Sequence, residues 1–208
     1  MRPLLITALL TLCPALAEAQ YVDLTRPDPA ADALADVRLS LSAERREAGV
    51  VLGLEGVLSV IAGAAFTIAA YDDPYWLGFG VGMLGWGAVN AALSVSLIDF
   101  GDARRASIQR DRRLRYGALA ERREATIRRE SDAAALFAVN FGLDFFYIGS
   151  AVLLFFLADQ ISGTDEPEIL RGYSTAQIGQ GAFLLVFDLV EWLASAERAQ
   201  RASEVARP

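Results

Sequence analysis

Four carboxylates, Glu55, Asp144, Asp188 and Glu191, stand inside runs of apolar residues in a chain of 208 residues. An ionisable side chain at the centre of a bilayer costs at least about 2.5 to 3.5 kcal/mol, so such residues turn toward a bundle interior and mark functional positions by default. Each belongs to a polar stripe. Gln177, Gln180, Gly181, Asp188 and Glu191 recur at helical spacing in one segment, and Asn140, Asp144 and Tyr147 in another. Glu55 with Ser59, and Asn90 with Ser94, are each four residues apart. Four stripes of this kind converge on one interior.

The rest of the inventory limits the chemistry these groups can perform. All 19 basic residues are arginine, His is absent, and the single cysteine, Cys13, lies in an N-terminal leader. No imidazole base, thiolate nucleophile, Cys/His zinc site or disulfide can then be assembled. Paired intramembrane aspartates are the equipment of aspartyl proteases, but Gly142-Leu143-Asp144 lacks their Gly-x-Gly-Asp motif. We therefore expect no enzyme, no catalytic residue, no metal and no cofactor. Carboxylates, hydroxyls, amides and arginines remain for binding or for moving protons and cations.

Positioning those groups requires membrane spans. The chain is 54% hydrophobic, and the apolar residues are gathered in blocks near the roughly 20 residues that cross a hydrocarbon core. We place spans at about 49–70, 76–98, 134–157 and 174–195. Asp72-Asp73-Pro74-Tyr75 is a tight acidic turn, and residues 158–173, with Ser162-Gly163 and Glu166-Pro167, form a short acidic loop. Each joins antiparallel neighbours. The expected fold is all-α, a membrane-embedded four-helix bundle of two antiparallel hairpins with a charged helical extension between spans two and three.

Residues 99–133 form that extension, with ten arginines interleaved with acids, no proline, and Glu124 to Arg128 at the favourable spacing of four. This pattern predicts a solvated, salt-bridged helix in preference to a docking site for partners or lipid headgroups, and it gives no nucleic-acid footprint. Before the first span, Asp28-Pro29 signals a helix start, and Leu34, Val37 and Leu41 share one face of an amphipathic surface helix within the polar segment 20–48. Residues 196–208 are a polar tail. Met1-Arg2-Pro3, the apolar run to Leu16 and Ala17-Glu18-Ala19 read as a signal peptide over 1–19, cleaved before Gln20.

Orientation is contested within the sequence itself. Segments 20–48, 99–133 and 196–208 carry 4, 10 and 3 arginines, which places them in the cytoplasm by the positive-inside rule. A cleaved leader places them outside, and its specific ending favours that reading. Counting rise from the acidic loop puts Asp144, 14 residues before it, level with Asp188, 15 after it. Facing one another with no arginine inside any span, the two carboxyls would share a proton. Asn140 and Glu191 are matched by the same count, as are Ser59 and Asn90. Gly49 and Gly53, then Gly78 and Gly82, are spaced for close backbone approach.

Three strings resemble an uncharacterised family of small bacterial four-helix membrane proteins. They are LFAVNFGLDFFY at 136–147, RGYSTAQIGQGAFLLVFD at 171–188, and FGVGMLGWGAVNAAL at 79–93, the last through Phe79, Trp86, Val89 and Asn90. The resemblance covers most of the chain after residue 45. It implies the four-span architecture, singles out Asn140, Asp144, Gln180 and Asp188, and names no substrate. Gly80, Met83 and Gly87 stand where that family tends to carry His and Asn. The function expected is that of a structural or partner-binding bundle with a polar core, in a bacterial inner membrane. Its partners are the lipid bilayer and either further copies of itself or another membrane protein. The competing expectation is a small proton, cation or solute transporter or channel component. The candidate site is Glu55, Asn90, Asn140, Asp144, Tyr147, Gln180, Asp188 and Glu191.

Overall fold

A computed structural model of the chain describes residues 29–98, 103–111 and 119–205. The leader, its cleavage point and the Asp28 cap lie outside the described residues. Those described form helices α1 (Pro29–Ala69), α2 (Pro74–Leu97), α3 (Ala103–Asp111), α4 (Leu119–Leu157) and α5 (Glu166–Glu204), with a 3-10 turn at Ala158–Gln160. Among them the fold is all-α, and α1, α2, α4 and α5 are long and apolar enough to cross a membrane.

Three of these helices are far longer than a bilayer requires. With 41, 39 and 39 residues, α1, α4 and α5 reach about 60 Å, whereas α2 with 24 residues is close to one bilayer thickness. The segment ahead of the first span is therefore not a separate surface helix. Ser42 to Glu47 contains good helix formers and no breaker, so one helix runs unbroken from Pro29 into the apolar span. The second half of the Arg-rich segment likewise continues into the third span, and the fourth starts its helix at Glu166 and runs past 195 to Glu204. The first half of α1, the first turns of α4 and the last turns of α5 gather with α3 into a charged stalk at one end of the bundle. Its buried apolar residues include Leu34, Leu41, Ile108 and Ala202.

Inside the spans, small residues set the packing, because apolar side chains gain nothing by leaving lipid for protein. A Cβ added to Gly56 would come within 2.7 Å of the Gly87 carbonyl oxygen, and one on Gly63 within 2.7 Å of that of Gly80. Gly49 meets Leu97 and Ile98 in the same seam, so rising numbers on α1 meet falling numbers on α2 and the two run antiparallel. Gly82 packs on Tyr173 and Ala176 of α5, and Gly181 of α5 on Ile148 of α4. The helices thus follow the order α1, α2, α5, α4. No Cα of α2 comes within 8 Å of one in α4.

The turns follow their local chemistry. Asp73 caps α2, its carboxylate accepting from the Tyr75 and Trp76 amides at 3.1 and 3.3 Å, and Pro74 occupies the first helical turn, where its missing N–H has no consequence. Phe66, Trp76 and Phe79 stack around this turn, and the Tyr75 hydroxyl pairs with Thr175 Oγ1 at 3.1 Å.

Candidate functional site: two buried polar clusters and a lateral groove

The first cluster closes a ring across three helices. Asn90 of α2, wholly buried, donates from Nδ2 to Glu55 Oε2 at 2.6 Å and to Gln180 Oε1 at 3.1 Å. Gln180 Nε2 of α5 donates to Ser59 Oγ at 2.8 Å, and the Ser59 hydroxyl donates to Glu55 Oε1 at 2.5 Å on α1. Each member answers the polar group of the next. Three of the bonds run between helices, together worth roughly 2 kcal/mol at the intramembrane average of about 0.6 kcal/mol each. Gly80 and Gly87 lie in the adjoining α1 seam, where any side chain would collide with Thr67 or Ser59, while Met83 Sδ accepts from Gln180. The positions at which this chain lacks family-like polar residues therefore serve close packing.

Asp144 and Asp188 form the second cluster. Both are buried, and their carboxyls lie near one another in the same groove, consistent with their equal distance from the acidic loop. Asp144 is 2% exposed, and its Oδ2 has no donor among the described residues. Just below this pair Gln177 Nε2 donates to the Tyr147 carbonyl at 3.2 Å, tying α5 to α4.

The two clusters flank a groove of about 250 Å3 that opens between α2 and α4. α5 is its floor. Its walls are mainly apolar, from Val89 and Leu93 on one side and Leu136 and Leu143 on the other, and Asn90, Asn140, Asp144 and Asp188 supply the polar atoms within it. Trp86 crosses to Tyr147, ring centroids 5.4 Å apart, and closes one end. Among the described residues no three acidic side chains gather closely enough to hold a metal ion.

Glu191 departs from expectation. It pairs not with Asn140 but with Arg198, one of the most deeply buried side chains at 1% exposure. Arg198 Nη2 donates to Glu191 Oε2 at 2.9 Å and to Ser195 Oγ at 2.6 Å, and Nε donates to Glu130 Oε2 at 3.1 Å. Arg45 Nη2 lies 3.0 Å from the same Glu130 oxygen, and Arg201 holds Glu44 at 2.5 Å. This network ties α1, α4 and α5 together where stalk meets spans. The expectation that no intramembrane carboxylate has a basic partner thus fails for Glu191. It assumed that the fourth helix stopped at 195, whereas a helix that continues lets a long Arg side chain two turns further on reach back.

Of the eight sequence-derived site residues, Glu55, Asn90 and Gln180 meet in the ring, Asp144 and Asp188 in the carboxyl pair, and Asn140 and Tyr147 line the groove. Glu191 belongs to the charge network instead. Arg45, Glu130, Trp86 and Arg198 were not foreseen. The spacing Glu191, Ser195, Arg198 on one helical face was the available signal for the last.

Compared with known protein families, residues 51–189 match a family of unknown function (DUF6992). Neither a curated protein nor a solved structure matches the chain.

Proposed function

The chain belongs to that family of unknown function, DUF6992, over a match that runs from the first span into the fourth, and from this premise we propose that the protein is a non-catalytic, partner-binding bundle of the bacterial cytoplasmic membrane. Its groove between α2 and α4 takes the transmembrane helix of a partner protein. The observation that carries this reading is Asp144 Oδ2, buried yet without a donor, at the bottom of an apolar-walled groove. A buried acceptor costs about 1 to 3 kcal/mol until a donor reaches it. The walls exclude a water-soluble occupant, and the floor asks for an amide, hydroxyl or cationic group. A partner helix presenting Asn, Gln, Lys or Arg meets both conditions. Four helices long and apolar enough to cross a membrane support that location, since proteins spanning the outer membrane are typically β-barrels.

Photo-crosslinking in native membranes tests this. A photoreactive residue at Leu93, Leu136 or Leu143 should give a discrete adduct that disappears with Asp144→Leu. The same probe at Leu58 or Phe156, on lipid-facing surfaces, should give none. An adduct twice the mass of the chain would make the partner a second copy. Equal crosslinking from both sets of positions would refute a groove-specific partner.

The placing of two buried carboxyls, Asp144 and Asp188, in one groove favours one competing reading, proton or cation handling. Under it Asp144→Asn and Asp188→Asn keep the fold but abolish flux in proteoliposomes. Under partner binding the parent protein shows no flux, and Asn at either position retains the crosslink through its own carbonyl.

A further inference from the structure

Two buried acceptors are left open in the groove between α2 and α4. Asn90, lining it from α2, spends both amide hydrogens on Glu55 and Gln180, and its Oδ1 has no donor among the described residues. Asp144, lining it from α4, leaves Oδ2 open in the same way. Both side chains are buried, so the missing donors have to arrive with an occupant.

The charge of the groove is as one-sided as its hydrogen bonding. Asp144 and Asp188 are both among its lining residues, and no arginine is. Asn140 and Tyr147 bring an amide and a hydroxyl, which add dipoles and no compensating charge. The buried arginine of α5, Arg198, is engaged by Glu191, Ser195 and Glu130, roughly 15 Å further along the helix from Asp188.

Depth limits where a positive charge could come from. Counted from the stalk-side limits of the apolar spans, Asp188 lies roughly 10 Å, Asn90 roughly 12 Å and Asp144 roughly 15 Å along its helix. These levels approach the middle of a hydrocarbon core about 30 Å thick, out of reach of a lipid headgroup amine. A transmembrane segment is what carries a charge to that level.

We propose that the helix received by this groove carries a lysine or arginine about seven to ten residues from the stalk-side end of its span, and that it belongs to a different protein. The inference rests on the partner-helix reading above and fixes the chemistry of its contact. Basic residues at such depth are kept by pairing. Here the carboxyls of Asp144 and Asp188 supply the opposite charge, and Asn90 Oδ1 accepts a further N–H from a group that has three donors or more. A second copy cannot supply that residue, because segments 49–70, 76–98, 134–157 and 174–195 contain no arginine and the chain no lysine.

Photo-crosslinking from Leu136 of the full chain in native membranes tests the charge. Asp144→Asn alone and Asp188→Asn alone each keep one carboxyl and should retain the adduct. The double variant, which keeps the acceptors and removes the charge, should lower its yield at least about tenfold. Sequencing of the crosslinked peptide should then find a lysine or arginine inside the captured apolar span. A second arm needs no charge variant. In phosphatidylcholine proteoliposomes the chain should crosslink a synthetic leucine-alanine transmembrane peptide with one central lysine at least about fivefold more than the same peptide with glutamine. Undiminished crosslinking in the double variant, or equal yields from the two peptides, would overturn the charge requirement and leave a neutral partner helix in the groove. An adduct twice the mass of the chain would overturn the separate partner. Absence of any groove-specific adduct would sink the partner-helix reading itself, and this inference with it.

Discussion

Arg198→Ala should be the most damaging single truncation in the charge network, and the structure sets its size. The substitution removes the bonds to Glu191, Ser195 and Glu130 at once. The consequences for the two acids differ. Glu130 keeps Arg45 at 3.0 Å, so its charge remains paired, whereas Glu191, with a side chain 11% exposed, is bonded in the network only to Arg198. One stranded buried charge, without a second, corresponds to about 3 to 5 kcal/mol. Arg45→Ala should cost less, about 1 to 2 kcal/mol, because Arg198 still holds Glu130. Combining Arg198→Ala with Glu191→Gln should recover part of the loss, since the stranded charge is then gone. The assay is unfolding of the detergent-solubilised protein in a dodecyl sulfate titration, followed by circular dichroism, with the double-mutant cycle completed by Glu191→Gln alone. If Arg45→Ala proves as costly as Arg198→Ala, or Arg198→Ala costs under about 1 kcal/mol, the network is not the clamp described here.

Other expectations follow from the packing and the ring. Gly56→Ala should lower the unfolding midpoint by the equivalent of about 1 to 3 kcal/mol, because its Cβ would press on Gly87 of α2, while Gly142→Ala, whose Cβ meets nothing within 4 Å, should be neutral or stabilising. A midpoint that responds equally to both would refute the α1–α2 seam. Asn90→Ala should destabilise by about 1 to 2 kcal/mol by opening the ring between Glu55 and Gln180, and Asn90→Asp should not rescue it, because Asp cannot donate to both oxygens. With Cys13→Ser as background, Ser107→Cys and Ser203→Cys should react with an impermeant maleimide from the same side of the membrane, since Arg123 Nη2 reaches the Ser203 carbonyl within one stalk. Labelling from opposite sides would refute the span count.

How much the sequence disclosed can be traced residue by residue. Apolar blocks and the Asp73-Pro74 start signal were local and strong, so four spans and their first turn were readable. The level of Asp144 with Asp188 was readable too, because antiparallel neighbours climb at the same rate from a shared loop. Helix ends away from breakers were not. Nothing in Ser42 to Glu47 or after Ser195 stops a helix, but hydropathy ends a span there, and equating span with helix hid the route by which Arg198 reaches Glu191. The meeting of Arg45 with Glu130 was hidden in the same way, because it needs α1 brought beside α4. Pairing across helices far apart in sequence is what composition alone does not encode.

The unbroken length of α4 has a mechanical meaning. Glu130 and Asp144 stand on one rod about 21 Å apart, the first gripped in the stalk and the second in the membrane. In the spans α4 leans on α5 alone along most of its length, with α2 touching it through the Trp86 ring. A rod clamped at its base and free on one side is a lever: a tilt of a few degrees at Glu130 becomes a displacement of an ångström or more at the mouth beside Asp144. The arginines that hold Glu130 in the stalk and the carboxyl that lines the lateral opening are thereby joined by one continuous element.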